Sequence, residues 1–561
     1  MLKQLKYLAL STLSAVLMTL PSQAAEKINF VYGPIKASLD VNSLDIFAKE
    51  NIVNNQLAFY LNLLNADEED KQRLREILTK KADLDPIIIS RFLRTPLGES
   101  FLEQFGKIIT VPGGRNGKYS IRGAIVTAAL SEEGLSLLNF LHNFSTDLQL
   151  NVEKVLLAGE YIQILGRGTN NLVEATKELS AEVIETQNYD FTQLSDLREL
   201  GKYGVSPRQT LQLEDEKRQR KYYVHLYLPE IWREEKTPVV IMSHGLGSQP
   251  EHFAERAKHL NSYGYVVAVP QHPGSDFQYI EDLKEGLRRR VFELNEFIDR
   301  PLDISYLLDE LEKLNQTKFN EHLDLDNVGI LGHSFGGYTA LALAGATIDF
   351  ENLDKSCNRK VWSPNVSLLL QCQALDLPRQ EYNLKDKRIK SVATINAVAS
   401  SIFGNKGLNE VQVPVVFASG TRDPATPAAI EQLRPFVWVN SQDKYFILIE
   451  GQAHINTSQL DSSAKALFDS IPDLELPDQS IFDQYGNAFI VAFFANYPLN
   501  NPEFRPYFTS SYAEYLSEQS SPIYLIDKEA AIPLSELFNR LKPENREPIY
   551  PPNYSKTGDN K

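Results

Sequence analysis

The run Asn327-Val328-Gly329-Ile330-Leu331-Gly332-His333-Ser334-Phe335-Gly336-Gly337-Tyr338-Thr339-Ala340 limits this chain more than any other stretch. An apolar segment, a Gly-x-Ser-x-Gly turn and a small-residue helix start follow one another, the order of a strand–turn–helix nucleophile elbow. The order has a chemical use. An alcohol is a poor nucleophile near neutral pH, so a serine must stand clear of the backbone where a histidine takes its proton and a helix N-terminus receives developing negative charge. Gly332 and Gly336 leave room for the crowded turn. Ser334 is the expected nucleophile.

The base is expected after Ser334 in chain order, and only one histidine follows it. His454 lies in Glu450-Gly451-Gln452-Ala453-His454-Ile455-Asn456, just beyond an apolar strand. Two strand ends offer a place for an acid. One closes on Asn396, which carries no charge to stabilise an imidazolium. The other runs into Gly420-Thr421-Arg422-Asp423-Pro424, so Asp423 is the expected acid, although Asp before Pro also serves as an ordinary turn residue. Two backbone N–H groups are needed for the oxyanion. Phe335 supplies one by position, and Leu246, in His244-Gly245-Leu246-Gly247-Ser248, the other. His244 reads as a loop anchor rather than a second base. His272 and Asp276 lack the partner cluster of a metal site.

Around these residues the second half alternates strand and helix patterns. Thr237 to Ser243 is near-continuously apolar, as in a strand buried on both faces of a parallel sheet. Tyr265 to Pro270, Val328 to Leu331, Ser391 to Ile395, Val413 to Ser419 and Tyr445 to Ile449 repeat the theme. The expected class is α/β, a doubly wound, mostly parallel sheet over residues 207–542, with ligands at the carboxyl ends of its strands. A probable-lid insertion over 349–390 is expected to cover the site. Asn487 to Tyr497 is expected to pack a helix on the sheet.

Residues 26–206 read as a mainly helical domain, opened by a hairpin turning at Gly33-Pro34 and closed by a junction over Asn188 to Pro207. Its helical patterns include Lys154 to Tyr161 and Leu172 to Thr186. Nothing in it converges on an active site, and a lid, a docking surface or a lipid-facing platform all fit. Residues 1–25 have the basic start, apolar middle and small-residue end of a secretory signal peptide, which predicts export to the periplasm or beyond. Residues 543–561 read as a disordered tail. Cys357 and Cys372, the only cysteines, form either one local disulfide in an oxidising compartment or a pair of buried thiols. A net charge of −16 excludes nucleic acid as partner and disfavours anionic membranes.

The motifs Ser243-His244-Gly245-Leu246-Gly247 and Gly332-His333-Ser334-Phe335-Gly336-Gly337 resemble those of the platelet-activating-factor acetylhydrolase and dienelactone-hydrolase-like branch of the α/β-hydrolases. The whole mature chain resembles secreted, mostly cyanobacterial hydrolases whose N-terminal region has no assigned function. The resemblance implies a serine esterase or lipase, with a lipid or phospholipid acyl or acetyl ester leading over a small soluble ester or a polyester, and transient contact with a membrane surface. No cofactor and no metal is required. The acetylhydrolases carry their acid after the strand that here ends at Asn396, so this chain departs from them there. A peptidase or amidase on the same residues, or a binding protein retaining a hydrolase shell, are the competing readings.

Overall fold

The computed structural model describes residues 25–540 except 83, 185–188, 359–364 and 455–477. The tail expected over 543–561, and the signal peptide but for Ala25, lie outside the described residues.

Strand β8 (Thr237–Ser243) shows why the second half folds as it does. All seven residues are buried. Because side chains alternate across a strand, Val239 and Ile241 enter one hydrophobic core while Val240 and Met242 enter the other. The same division separates Val266 and Ala268 from Val267 and Val269 in β9 (Val266–Pro270). A sheet with two apolar faces needs helices on both. Helices Glu296–Thr317 and Phe335–Leu343 cover one side, and Ala254–Ser262 and Gln479–Asn496 the other.

The remaining strands are β6 (Gln209–Asp215), β7 (Arg220–Tyr227), β10 (Leu323–His333), β11 (Ile389–Ile395), β12 (Val415–Gly420), β13 (Lys444–Ile449) and β14 (Ile523–Asp527). They form a nine-stranded sheet ordered β14-β13-β12-β11-β10-β8-β9-β7-β6. From β13 to β9 every pairing is parallel, while β14, β7 and β6 add antiparallel edges. The expected doubly wound, mostly parallel sheet is therefore present, with β10 near its centre.

The first half differs from its expectation. Alongside its helices it contains a five-stranded sheet, ordered β2-β1-β5-β3-β4, from β1 (Lys27–Tyr32), β2 (Ile35–Asp40), β3 (Ile109–Val111), β4 (Arg115–Asn116) and β5 (Leu148–Asn151). The β1–β2 hairpin turns at Gly33, which has φ +54°. Strands β3 to β5 are two to four residues long, too short to show a period of two in the sequence. The core of this unit gathers Phe47, Leu57, Leu102, Phe144 and Leu148 and does not extend past Leu150.

Two further corrections follow from packing. Over their described residues, 154–161 and 172–184, the two helical patterns belong to one helix, Val152–Ile184, and the last two residues of the second pattern lie outside the described residues. Its Leu172 is fully buried in the core of the nine-stranded sheet, so the boundary in packing falls well before residue 206. The junction, over its described residues 189–207, is not a free linker either. Phe191 and Leu197 are buried, the Leu197 carbonyl accepts from His259 Nε2 at 2.9 Å, and Tyr203 N–H donates to the Ser262 carbonyl.

The insertion carries helices Phe350–Cys357 and Ser367–Gln373, joined by a Cys357–Cys372 disulfide with Cα atoms 5.8 Å apart. Of the two readings of these cysteines, the bridge is the one present. The bridge closes a sequence separation of 15 residues, and a loop of that length stabilises a fold by about 3 kcal/mol through the unfolded state. The double variant C357S/C372S is expected to lose about 2–3 kcal/mol in urea unfolding under oxidising conditions; an unchanged midpoint would show that the insertion is held without it.

Candidate active site

The turn from β10 into helix Phe335–Leu343 places Ser334 at φ +55°, ψ −117°, outside the regions a residue with a Cβ normally adopts. Close backbone contact holds it there. A Cβ on Gly332 would lie 2.1 Å from the Gly336 carbonyl oxygen, and one on Gly336 would lie 1.9 Å from the Ser243 carbonyl oxygen. Only glycine permits the helix to cross the end of β8 at that distance. Ser334 N–H donates to the Ile395 carbonyl at 3.0 Å, and the Ser334 carbonyl accepts from Gly337 at 2.9 Å and Val398 at 3.1 Å. The strained residue is thus tied to β11 as well.

Ser334, His454 and Asp423, each at or just beyond the carboxyl end of a strand, meet in one line. Ser334 Oγ lies 2.9 Å from His454 Nε2, and His454 Nδ1 lies 2.7 Å from Asp423 Oδ2. A carboxylate only accepts, so Nδ1 carries the proton and Nε2 of the neutral ring accepts from the serine. Asp423 Oδ1 accepts from the amides of Ala425 and Thr426, both at 2.8 Å, while the Thr426 hydroxyl sits 2.7 Å from Oδ2. Asp423 therefore shapes its turn with one oxygen and faces the imidazole with the other. Burial works to raise its pKa, but the imidazole, the Thr426 hydroxyl and the Thr426 amide outweigh it and hold the carboxyl below its usual range.

The loop after β8 approaches from the other side. A Cβ on Gly245 would stand 3.1 Å from Ser334 Cβ, so the Gly245-Leu246 segment lies directly against Ser334. Gly247, at φ +69°, donates to the Ser275 carbonyl at 2.8 Å and turns the loop away again. Phe335 N–H belongs to the first turn of its helix, where amides lack intrahelical acceptors. His244 is fully buried with both nitrogens committed: Nδ1 donates to the Gly245 carbonyl at 2.9 Å, and Nε2 accepts from His272 N–H at 3.2 Å. Burial and the nearby Arg300 push it well below the ordinary histidine range. His272 Nε2 meets Ser243 Oγ at 2.9 Å, and Asp276 caps a helix through the Tyr279 amide.

Three residues given no supporting role in the sequence reading brace this line. His333 donates from Nε2 to the His454 carbonyl at 2.8 Å. Asn396, fully buried, donates from Nδ2 to the Ala453 carbonyl at 3.2 Å and accepts from Gly420 N–H at 3.0 Å. An amide does both, whereas a carboxylate has no donor for Ala453. Position 396 thus braces the loops that carry His454 and Asp423. Glu431, also fully buried, accepts from Asn365 and Gln371 of the insertion and from Ser400, clamping the insertion beside the Asp423 turn. Ser367 N–H adds a bond to the Ala425 carbonyl.

Comparison with known proteins agrees with this architecture. Residues 216–349, from β7 through the elbow helix, match a family described as "Putative esterase", and residues 24–151 match one described as "Alpha/beta hydrolase of unknown function". The sheet order and these two matches give the chain an α/β-hydrolase fold. Platelet-activating factor acetylhydrolase from Bos taurus is 30% identical to this chain over 142 residues, 19% of this chain and 32% of that protein. The enzyme of that name from Canis lupus familiaris is 28% identical over the same length and shares. The chain spans about a third of the length of these relatives. The segment 216–349 contains Leu246, Ser334 and Phe335 but neither Asp423 nor His454.

Burial foremost, and His454 beside it, push His333 down to about 4 from 6.5. Between those values the unfolded chain binds a proton that the native hydrolase does not, so stability is lost as pH falls through that window. The His333→Gln variant keeps a donor for the His454 carbonyl and removes the titration. Its urea midpoint is expected to fall less than the wild type's between pH 7.5 and pH 5; equal losses would place the acid sensitivity elsewhere.

Proposed function

We propose that the hydrolase is a serine carboxylic-ester hydrolase working through an acyl-enzyme. The observation that carries the proposal is the unbroken Ser334–His454–Asp423 line at 2.9 and 2.7 Å. Ser334 Oγ attacks the acyl carbon as His454 Nε2 takes its proton, and Asp423 stabilises the imidazolium. The Leu246 and Phe335 amides receive the oxyanion. His454 then protonates the leaving alcohol, and a water activated by the same nitrogen releases the acid and restores Ser334. No cofactor takes part in these steps.

A lipid or phospholipid acyl or acetyl ester is the proposed substrate class, supported by the likeness to the acetylhydrolases. Work outside the cytoplasm is proposed too, supported by the Cys357–Cys372 disulfide. Among the described residues no helix is long and apolar enough to cross a membrane, and transient contact with a membrane surface is part of the proposal.

Short p-nitrophenyl esters test the reading against peptide anilides. Ser334→Ala is expected to abolish ester hydrolysis, and Asp423→Asn to lower kcat by about 10⁴-fold with the fold intact. Full activity in the alanine variant, or preference for the anilides, overturns it.

A further inference from the structure

Arg300, a long side chain with no exposure, lies beneath the proposed oxyanion site. Its Nη1 donates to the His244 carbonyl at 2.8 Å, its Nη2 reaches the Gly245 carbonyl at 3.4 Å, and its Nε donates to Ser275 Oγ at 2.9 Å. The guanidinium also stacks on the Phe335 ring, 4.5 Å from its centroid. Ser275 Oγ in turn donates to Glu296 at 2.5 Å, which supplies the counter-charge from one turn earlier on the same helix.

These contacts bear on both amides assigned to the oxyanion. A trans peptide is planar, with C=O and N–H on opposite sides. Fixing the Gly245 carbonyl from below therefore fixes the direction of the Leu246 N–H on the opposite side, where Gly245 abuts Ser334. A carbonyl that accepts a charged donor also polarises its peptide and makes that N–H a stronger donor. The stack on Phe335 restrains the residue that carries the second amide. A guanidinium is suited to the task because its planar fork serves several acceptors at once while its face meets an aromatic ring.

From this geometry we propose that Arg300 is a positioning residue that sets the alignment of the Leu246 and Phe335 amides and so tunes transition-state stabilisation without touching substrate. The inference rests on the esterase reading. Burial lowers its pKa to about 10, so it stays protonated near neutral pH.

The test is Arg300→Lys, with kinetics on a p-nitrophenyl ester expressed per active site counted by end-point fluorophosphonate labelling. A lysine keeps the charge but not the fork. Loss of an oxyanion donor costs about 10²–10³ in kcat, so misalignment is expected to lower kcat about 10–100-fold with KM within about threefold. Affinity for a trifluoromethyl ketone, which forms the oxyanion on Ser334, should fall by the same factor. Arg218→Gln breaks the outer end of the same ion cluster, at Asp215 and Asp303, without reaching the loop. It is expected to lower Tm and leave kcat per site unchanged. Normal kcat per site in Arg300→Lys, or an equal loss in Arg218→Gln, overturns the inference. Should Arg300→Lys fail to label, Ser275→Ala replaces it, removing the anchor of Nε; a several-fold fall in kcat at constant KM supports the inference and an unchanged kcat overturns it. If Ser334→Ala keeps its activity, the esterase reading fails, whatever Arg300 does.

Discussion

Everything at the carboxyl edge of this sheet depends on one close contact, the backbone of Gly336 against the carbonyl of Ser243. The distance is too short for any Cβ. It brings the elbow helix across the ends of β8 and β10, and with it Ser334 into a conformation that costs on the order of 1–3 kcal/mol. Such a conformation persists only where its surroundings over-determine it. Here Ile395, Val398 and the two glycines do so, and the two apolar faces of the sheet supply the burial that offsets the cost.

Around that contact the polar groups are sorted by charge. His244 and His333 are driven toward neutrality by burial, His244 binding backbone through both ring nitrogens and His333 through Nε2. Asp423 is held ionised by the groups that face it. The arrangement leaves His454 as the ring aligned between an acceptor carboxylate and a hydroxyl. Arg300 is buried beside its opposite charge, sharing Ser275 with Glu296.

What the sequence made legible follows from how each feature is encoded. The β8 run and the Gly-x-Ser-x-Gly turn are local, and both the sheet and the elbow follow from them. The meeting of Ser334, Asp423 and His454 was readable because strand ends converge in a parallel sheet and only one histidine follows the serine. Strands β3 to β5 were not readable, being too short to carry a period. Nor was the share of helix Val152–Ile184 in the hydrolase core, since an apolar stripe does not name the surface it will meet. Arg300 was hidden for a similar reason. In Glu296-Phe297-Ile298-Asp299-Arg300 it has the spacing of a solvated helical charge, and only its partners at His244, Gly245 and Phe335 distinguish it.

The central claim is that this geometry makes Ser334 a nucleophile that carries an acyl group. Rapid mixing of the full chain with excess p-nitrophenyl acetate, followed by acid quench and peptide mass analysis, tests it most directly. The account predicts an acetyl adduct on Ser334 in the peptide spanning the elbow, with a release of p-nitrophenolate that approaches one per chain before steady turnover. Hydrolysis at full rate with no adduct on Ser334, or with an adduct on another residue, would contradict it.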